Sequence, residues 1–207
     1  MSTLERISVQ QNDPSELLEV CDPAGVGTGV AKSRAAIHRD GDWHRAFHCW
    51  ILRRDGTEVV LQRRSLLKDT FAGLWDAAAA GHWRFGESAA EAAREIAEEL
   101  GLEVPFEILD YRCRERASHD FPNGLIDREF HEVYILRDDR PLTAYRPDPA
   151  EVSDVAAFKV NELITLADAQ VDTISATESW SGNEIHVTRP ELVPYSTARL
   201  RGMLLSG

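Results

Sequence analysis

Between Gly81 and Leu102 the chain reads GHWRFGESAAEAAREIAEELGL, and most of its chemistry lies in glutamates. From Ser88 to Leu100 the segment is rich in Ala and Glu, lacks Pro and Gly, and is closed by Gly101. This predicts one helix with a left-handed cap. At about 100° per residue, Glu91, Glu95, Glu98 and Glu99 fall on one face of that helix. Like charges three and four residues apart repel, by roughly a few tenths of a kcal/mol per pair. Arg94 is spaced to pair with Glu91 and Glu98, while Ala89, Ala92, Ala93, Ile96 and Leu100 supply apolar contacts. Such a face is either a solvated acidic surface or a set of hard oxygen donors for a divalent cation.

The flanks bear on that choice. Glu87 follows Gly81 by six residues, and the helix then carries Arg94-Glu95-Ile96-Ala97-Glu98-Glu99-Leu100-Gly101-Leu102. The arrangement resembles the Nudix box, G-x5-E-x7-R-E-U-x-E-E-x-G-U with U aliphatic, the signature of hydrolases acting on diphosphates linked to another group. Every fixed residue type is present, and one spacing departs, with six residues instead of seven between Glu87 and Arg94. Because Glu87-Ser88 lies where loop becomes helix, the missing residue is expected to leave Glu95, Glu98 and Glu99 in their mutual orientation. The resemblance implies a Mg²⁺ or Mn²⁺ ion held by Glu95, Glu98, Glu99 and the backbone carbonyl near Gly81. A cation there would reconcile a carboxylate cluster with an anionic diphosphate and activate the attacking water. It also implies that Glu95, Glu98 and Arg94 form the catalytic group, with Arg94 orienting the carboxylates.

A second resemblance, to isopentenyl diphosphate isomerases and their hydrolase relatives, covers roughly Leu17 to Leu166. It rests on His38, WHRAFHCW from Trp43, LQRRSLLKD from Leu61, GLWDAAAAGH from Gly73 and EFHEVYIL from Glu129. In that branch, histidines in the places of His38, His44 and His82 bind a metal with acids on the strand of Glu132, so His82 and Glu132 join the expected ligands. Phe130 stands where one acidic ligand is expected. Arg64 and Lys68 are the implied diphosphate contacts, with Arg34 a further one. The isomerase carries a catalytic cysteine just before the Gly-His pair, where this chain has Ala80. An alanine transfers no proton, so hydrolysis of a nucleoside or organic diphosphate is the expected reaction. The alternatives are an isomerase-like enzyme and a non-catalytic Nudix-like module that binds a diphosphate.

The rest of the chain must position these groups. With 207 residues, 43% of them hydrophobic, it is long enough for one elaborated domain. A net charge of -12 argues against nonspecific binding to nucleic acid or to an anionic membrane. The N-terminus lacks the pattern of a secretory signal, and no run of about 18 apolar residues occurs. Cys21, Cys49 and Cys113 are too widely spaced for a disulfide framework or a cysteine zinc site. Together these features predict a soluble cytoplasmic protein, with a homodimer left open.

Along the chain, strands are expected at Leu17 to Cys21 and near Thr28 to Ala31, then a short helix capped by Ser33. Trp43 to Leu52 and Thr57 to Gln62 suit a hairpin turned by Asp55-Gly56. Phe106 to Arg116 and Leu125 to Leu136 suit a second, longer one. Val155 to Val160 reads as a strand leading into a helix capped by Asn161, and Pro194 to Leu205 as a final helix. The fold class expected is α/β, a Nudix-type α/β/α sandwich around a mixed β-sheet. Residues 1–14 read as a loose lead-in, 15–170 as the Nudix domain, and 171–207 as an extension whose terminal helix packs on it.

Overall fold

A computed structural model describes residues 13–179 and 181–205, so most of the lead-in expected over residues 1–14 lies outside the described residues. Strands β1 (Leu17–Cys21) and β2 (Gly27–Ser33) pair antiparallel. The Asp22 carboxylate closes their turn, accepting from the Ala24 and Val26 amides at 2.9 Å. Ser33 then caps helix α1 (Arg34–Asp40), accepting from the Ala36 amide, as the sequence suggested.

The main sheet is built from β3 (His44–Arg53), β4 (Glu58–Arg64), β7 (Asp110–Asp120), β8 (Ile126–Arg137), β9 (Val152–Lys159), β10 (Thr173–Glu178) and β11 (Glu184–Thr188). Their spatial order is β11-β10-β9-β4-β3-β8-β7. Among the described strand pairs of this sheet only β3 and β8 run parallel, from His44↔Glu129 to Leu52↔Arg137, which makes the sheet mixed. β3 and β4 pair near their turn alone, from Ile51↔Val60 to Arg53↔Glu58. Beyond that point they part. The short strands β5 (Trp75–Asp76) and β6 (Ala79–His82) take the vacated edges of β4 and β3.

Period-two alternation gives each face its own core. Phe47, Cys49, Ile51, Tyr134 and Leu136 pack against α2 (Ala89–Ala92) and α3 (Arg94–Leu100) through Ala92, Ile96 and Leu100. Trp50, Leu52, Val133 and Ile135 pack against α4 (Val160–Ala167) and α5 (Thr197–Leu204) through Leu163, Ile164, Leu200 and Met203. This is the expected sandwich, with helices on both faces. No helix among the described residues is long and apolar enough to cross a membrane.

Four local expectations change. The segment from Ser88 to Leu100 forms two helices, interrupted at Ala93 (ψ -6), where the Ile96 amide reaches back only three residues to the Ala93 carbonyl. Glu91 forms a capping box with Ser88 at the first helix and so leaves the acidic stripe. Phe106–Ile108 is a 3-10 turn preceding β7. Helix α4 begins at Val160 without a side-chain cap, so Asn161 lies inside it. Residues 171–207 also hold β10 and β11, which pair onto β9 and bury Ile174, Ala176 and Val187.

Candidate active site

The cleft, of about 530 Å³, opens where β3 and β4 part, and its walls include Ala46, His48, Arg64, Asp76 and Ala80. Helix α3 lies so close to β6 that a Cβ at position 81 would fall 2.2 Å from Glu95 Cδ, so any larger residue there would displace the Glu95 carboxylate. Gly101 ends the helix with φ 63, and a Cβ there would meet the Arg146 carbonyl oxygen at 2.5 Å. These two glycines fix the depth at which the helix presents its carboxylates.

Glu99 is 2% exposed and accepts hydrogen bonds at 2.8 Å from the Ala80 amide and from Gln62 Nε2. Its other oxygen lies 3.8 Å from Lys68 Nζ, and Lys68 is also paired with Glu151. Arg94 ties the box together. It donates to Glu87 at 2.8 Å, to Glu98 at 2.9 Å, to the His82 carbonyl at 3.2 Å, and to Glu95. Burial pushes the Glu95 carboxyl up to about 8, against the pull of Arg94, with Glu99 and Glu98 adding to the rise. Burial likewise takes Glu99 up to about 7, opposed by Lys68. Arg94 and Lys68 only partly offset the burial of these two carboxylates, and a divalent cation would add the remaining positive charge. The carboxylate oxygens are of the hard type a divalent cation takes, while the described groups already close enough together to hold one lie around His44 and Glu129.

The three expected diphosphate contacts line the same cleft. Arg64 is already engaged, to Asp76 at 3.1 Å and to the carbonyl and hydroxyl of Thr70 at 3.1 and 3.2 Å. Arg34 lies 3.4 Å from Asp69.

His82 belongs to a second cluster. The rings of His38, His44 and His82 stand 5.0 to 5.3 Å apart, facing Asp127 and Glu129. His44 Nδ1 lies 3.0 Å from the Asp42 carbonyl, which fixes the proton on Nδ1 and leaves the Nε2 lone pair pointing inward. His38 Nε2, His44 Nε2 and Asp127 Oδ1 are buried without hydrogen-bond partners. Burial holds His38 down at about 4 and His82 well below its usual range, so both present neutral imidazoles. Burial alone would raise Glu129, but its hydrogen bond with His131 and the nearby His44 carry it far below the carboxylate range. Burial would lower His44 too, but Glu129 and Asp127 beside it hold it above the usual range, so His44 would give up a proton on binding a cation. Imidazoles, an ionised carboxylate and unpartnered ligand atoms fit a transition-metal dication.

Glu132 is not brought to either group. It lies on the opposite face of β8, accepting from Tyr111 at 2.9 Å and from Arg114 at 2.7 Å. The acids that do reach the histidines are Asp127 and Glu129, one step out of phase with the expected Glu132. The alternation Asp127-x-Glu129-x-His131 was a legible signal, but only the β3–β8 register, with His44 opposite Glu129, says which phase faces the cleft. Tyr195 and Arg199 were also missed. Tyr195 donates to Asp76, and Arg199 reaches His131 Nδ1 at 2.5 Å and pairs with Glu115. Their distance in sequence from the box hides their presence in the cleft.

The NUDIX domain family matches residues 42–177. An uncharacterized Nudix hydrolase of Clostridium acetobutylicum is 35% identical over 148 residues, spanning 70% of this chain and 71% of that protein. Nudix hydrolase 3 of Arabidopsis thaliana is 39% identical over 146 residues, but this chain spans only 19% of its length. An isopentenyl-diphosphate Delta-isomerase of Streptomyces griseus is 36% identical over 149 residues, spanning 71% of this chain and 73% of that one. In fold, the chain is similar to a crystal structure from Deinococcus radiodurans, with a TM-score of 0.55 and 24% identity over 74% of this chain and 90% of that one. With the box carboxylates gathered on α3 and the family matched over most of the chain, this protein belongs to the Nudix family.

Proposed function

We propose that this protein is a metal-dependent hydrolase that cleaves the diphosphate bond of a nucleoside or organic diphosphate. The observation that carries this reading is the buried pair Glu95 and Glu99 bordered by Glu98, with Arg94 orienting Glu95 and Glu98 and the Ala80 amide and Gln62 holding Glu99. A bound Mg²⁺ or Mn²⁺ would screen the phosphoryl oxygens and acidify a water for attack on phosphorus. Glu95, Glu98, Glu99 and the Gly81 carbonyl would hold it. Arg94 fixes the carboxylates, and Glu95 and Glu98 supply the oxygen that takes the water's proton. Arg34, Arg64 and Lys68, which line the same cleft, bind the diphosphate oxygens. His38, His44, His82, Asp127 and Glu129 would hold a second cation.

Ala80 favours hydrolysis over isomerisation. Its amide donates to Glu99, and its methyl group can carry no proton to a substrate carbon. Three free thiols, two of them buried, suit a reducing cytoplasmic setting.

The test is a product-resolved screen of nucleoside, sugar, coenzyme and alkyl diphosphates with Mg²⁺ or Mn²⁺ against a chelator control. Chelator-sensitive release of monophosphates supports the hydrolase. Thermal stabilisation by a diphosphate without turnover would replace it with a binding module, and a rearranged diphosphate product with an isomerase.

A further inference from the structure

A second cavity, of about 620 Å³, adjoins the carboxylate cleft. Its walls include Trp50, Leu61 and Trp75 from the sheet, Leu163 and Leu200 from the helices on that face, and Leu192. Phe71, Asp76 and the segment from Val193 to Ser196 line both cavities. That segment is pinned at two points. The Val193 amide donates to the Trp75 carbonyl at 2.9 Å, and the Tyr195 hydroxyl donates to Asp76. Phe71, Asp76 and this segment thus form the boundary between a charged compartment and an apolar one.

The surface it exposes is mostly carbon, so water in it finds few polar partners. Trp50 presents its ring to this wall, and its Nε1 is buried without a hydrogen-bond partner among the described residues. A nucleobase would forfeit several hydrogen bonds there, whereas a hydrocarbon would forfeit none. The volume falls in the range of about 300–1,000 Å³ typical of ligand sites.

We propose that this chamber receives the second moiety of the substrate, and that this moiety is an apolar chain or ring system larger than a short alkyl group. The inference rests on the diphosphate reading of the cleft. It deepens that reading, because residues 189–200, which close the chamber, lie beyond the segment matched by the family.

The test is calorimetric titration, with Mg²⁺ present, of methylenebisphosphonate as a head-only probe and of its monoalkyl esters with two, five and ten carbons. The wild-type protein is expected to bind roughly three- to fourfold more tightly per buried methylene. Ala167→Trp, which fills the chamber from α4, is expected to flatten the series while leaving affinity for the head-only probe unchanged. Leu192→Phe fills it from another wall if the first variant fails to fold. Head binding with no dependence on chain length in the wild type, or a series unaffected by both filling variants, overturns the chamber assignment alone. Absence of metal-dependent binding by the head-only probe overturns the cleft reading, and the inference with it.

Discussion

Arg94 donates to Glu87 across 2.8 Å although the chain between them is one residue shorter than the box pattern. The interruption at Ala93 re-aims α3 relative to the helix before it, so a deletion that would rotate a continuous helix by about 100° leaves the contact in place. Glu87 thereby serves as the outer anchor of the guanidinium that orients Glu95 and Glu98. Arg94→Lys keeps the charge and loses the fork, so kcat/KM is expected to fall about a hundredfold, as for a misplaced catalytic group, with thermal stability little changed. Steady-state kinetics beside a melting curve would check this; wild-type rates in the lysine variant would remove the orienting role.

Glu99→Gln keeps an oxygen able to accept from the Ala80 amide and Gln62, so the fold should persist while the anionic ligand is lost. Turnover is expected to drop by about two orders of magnitude or more, together with Mg²⁺ affinity. Full activity in this variant would eliminate Glu99 from the metal site.

The elevated Glu95 and Glu99 predict how stability varies with pH. Their folded-state values, about 8 and about 7, lie above the ordinary 4.5, so between those limits the folded state binds more protons than the unfolded one. The metal-free protein should therefore lose stability as pH rises from about 5 to 8. Mg²⁺ or Mn²⁺ binds the ionised pair and should offset the loss, increasingly so towards pH 8. Melting temperatures across this range with and without metal test it, and a metal effect that shrinks as pH rises contradicts the assignment.

Arg199 can only donate, so His131 Nδ1 accepts from it and His131 Nε2 carries the proton that meets Glu129 at 2.7 Å. This chain turns the other Glu129 oxygen towards His44 and His82, at 3.7 and 3.6 Å. Arg199→Met should weaken Mn²⁺ binding at the histidine cluster by about tenfold or more, in the range of outer-shell substitutions, and leave the box site intact. Electron paramagnetic resonance of titrated Mn²⁺ would separate the two populations; an unaltered histidine-site signal would discard the relay.

Arg64 is as much a structural residue as a substrate contact. Arg64→Ala leaves Asp76 buried with Tyr195 as its remaining side-chain partner, which should destabilise the fold by roughly 3–5 kcal/mol. KM should rise as well. Chemical denaturation measures the first effect and kinetics the second, and a variant as stable as wild type would show that Asp76 does not depend on the pair.

The box was legible because it is local: residues within one turn or two of a helix have spacings that translate directly into a shared face. The sequence by itself determined the acidic face, Gly101 as its cap, the Ser33-capped helix, the two hairpins and the α/β class. What it left undecided depends on contacts between distant segments. Whether Glu132 or the pair Asp127 and Glu129 faces the histidines is set by the register of β8 on β3, where a shift of one residue exchanges the two faces of the strand. That Tyr195 and Arg199 enter the cleft depends on β10 and β11 joining the sheet and returning the chain to Trp75, and no local pattern encodes that path. Period and capping are properties of a segment, whereas register and closure belong to pairs of segments that only the folded chain brings together.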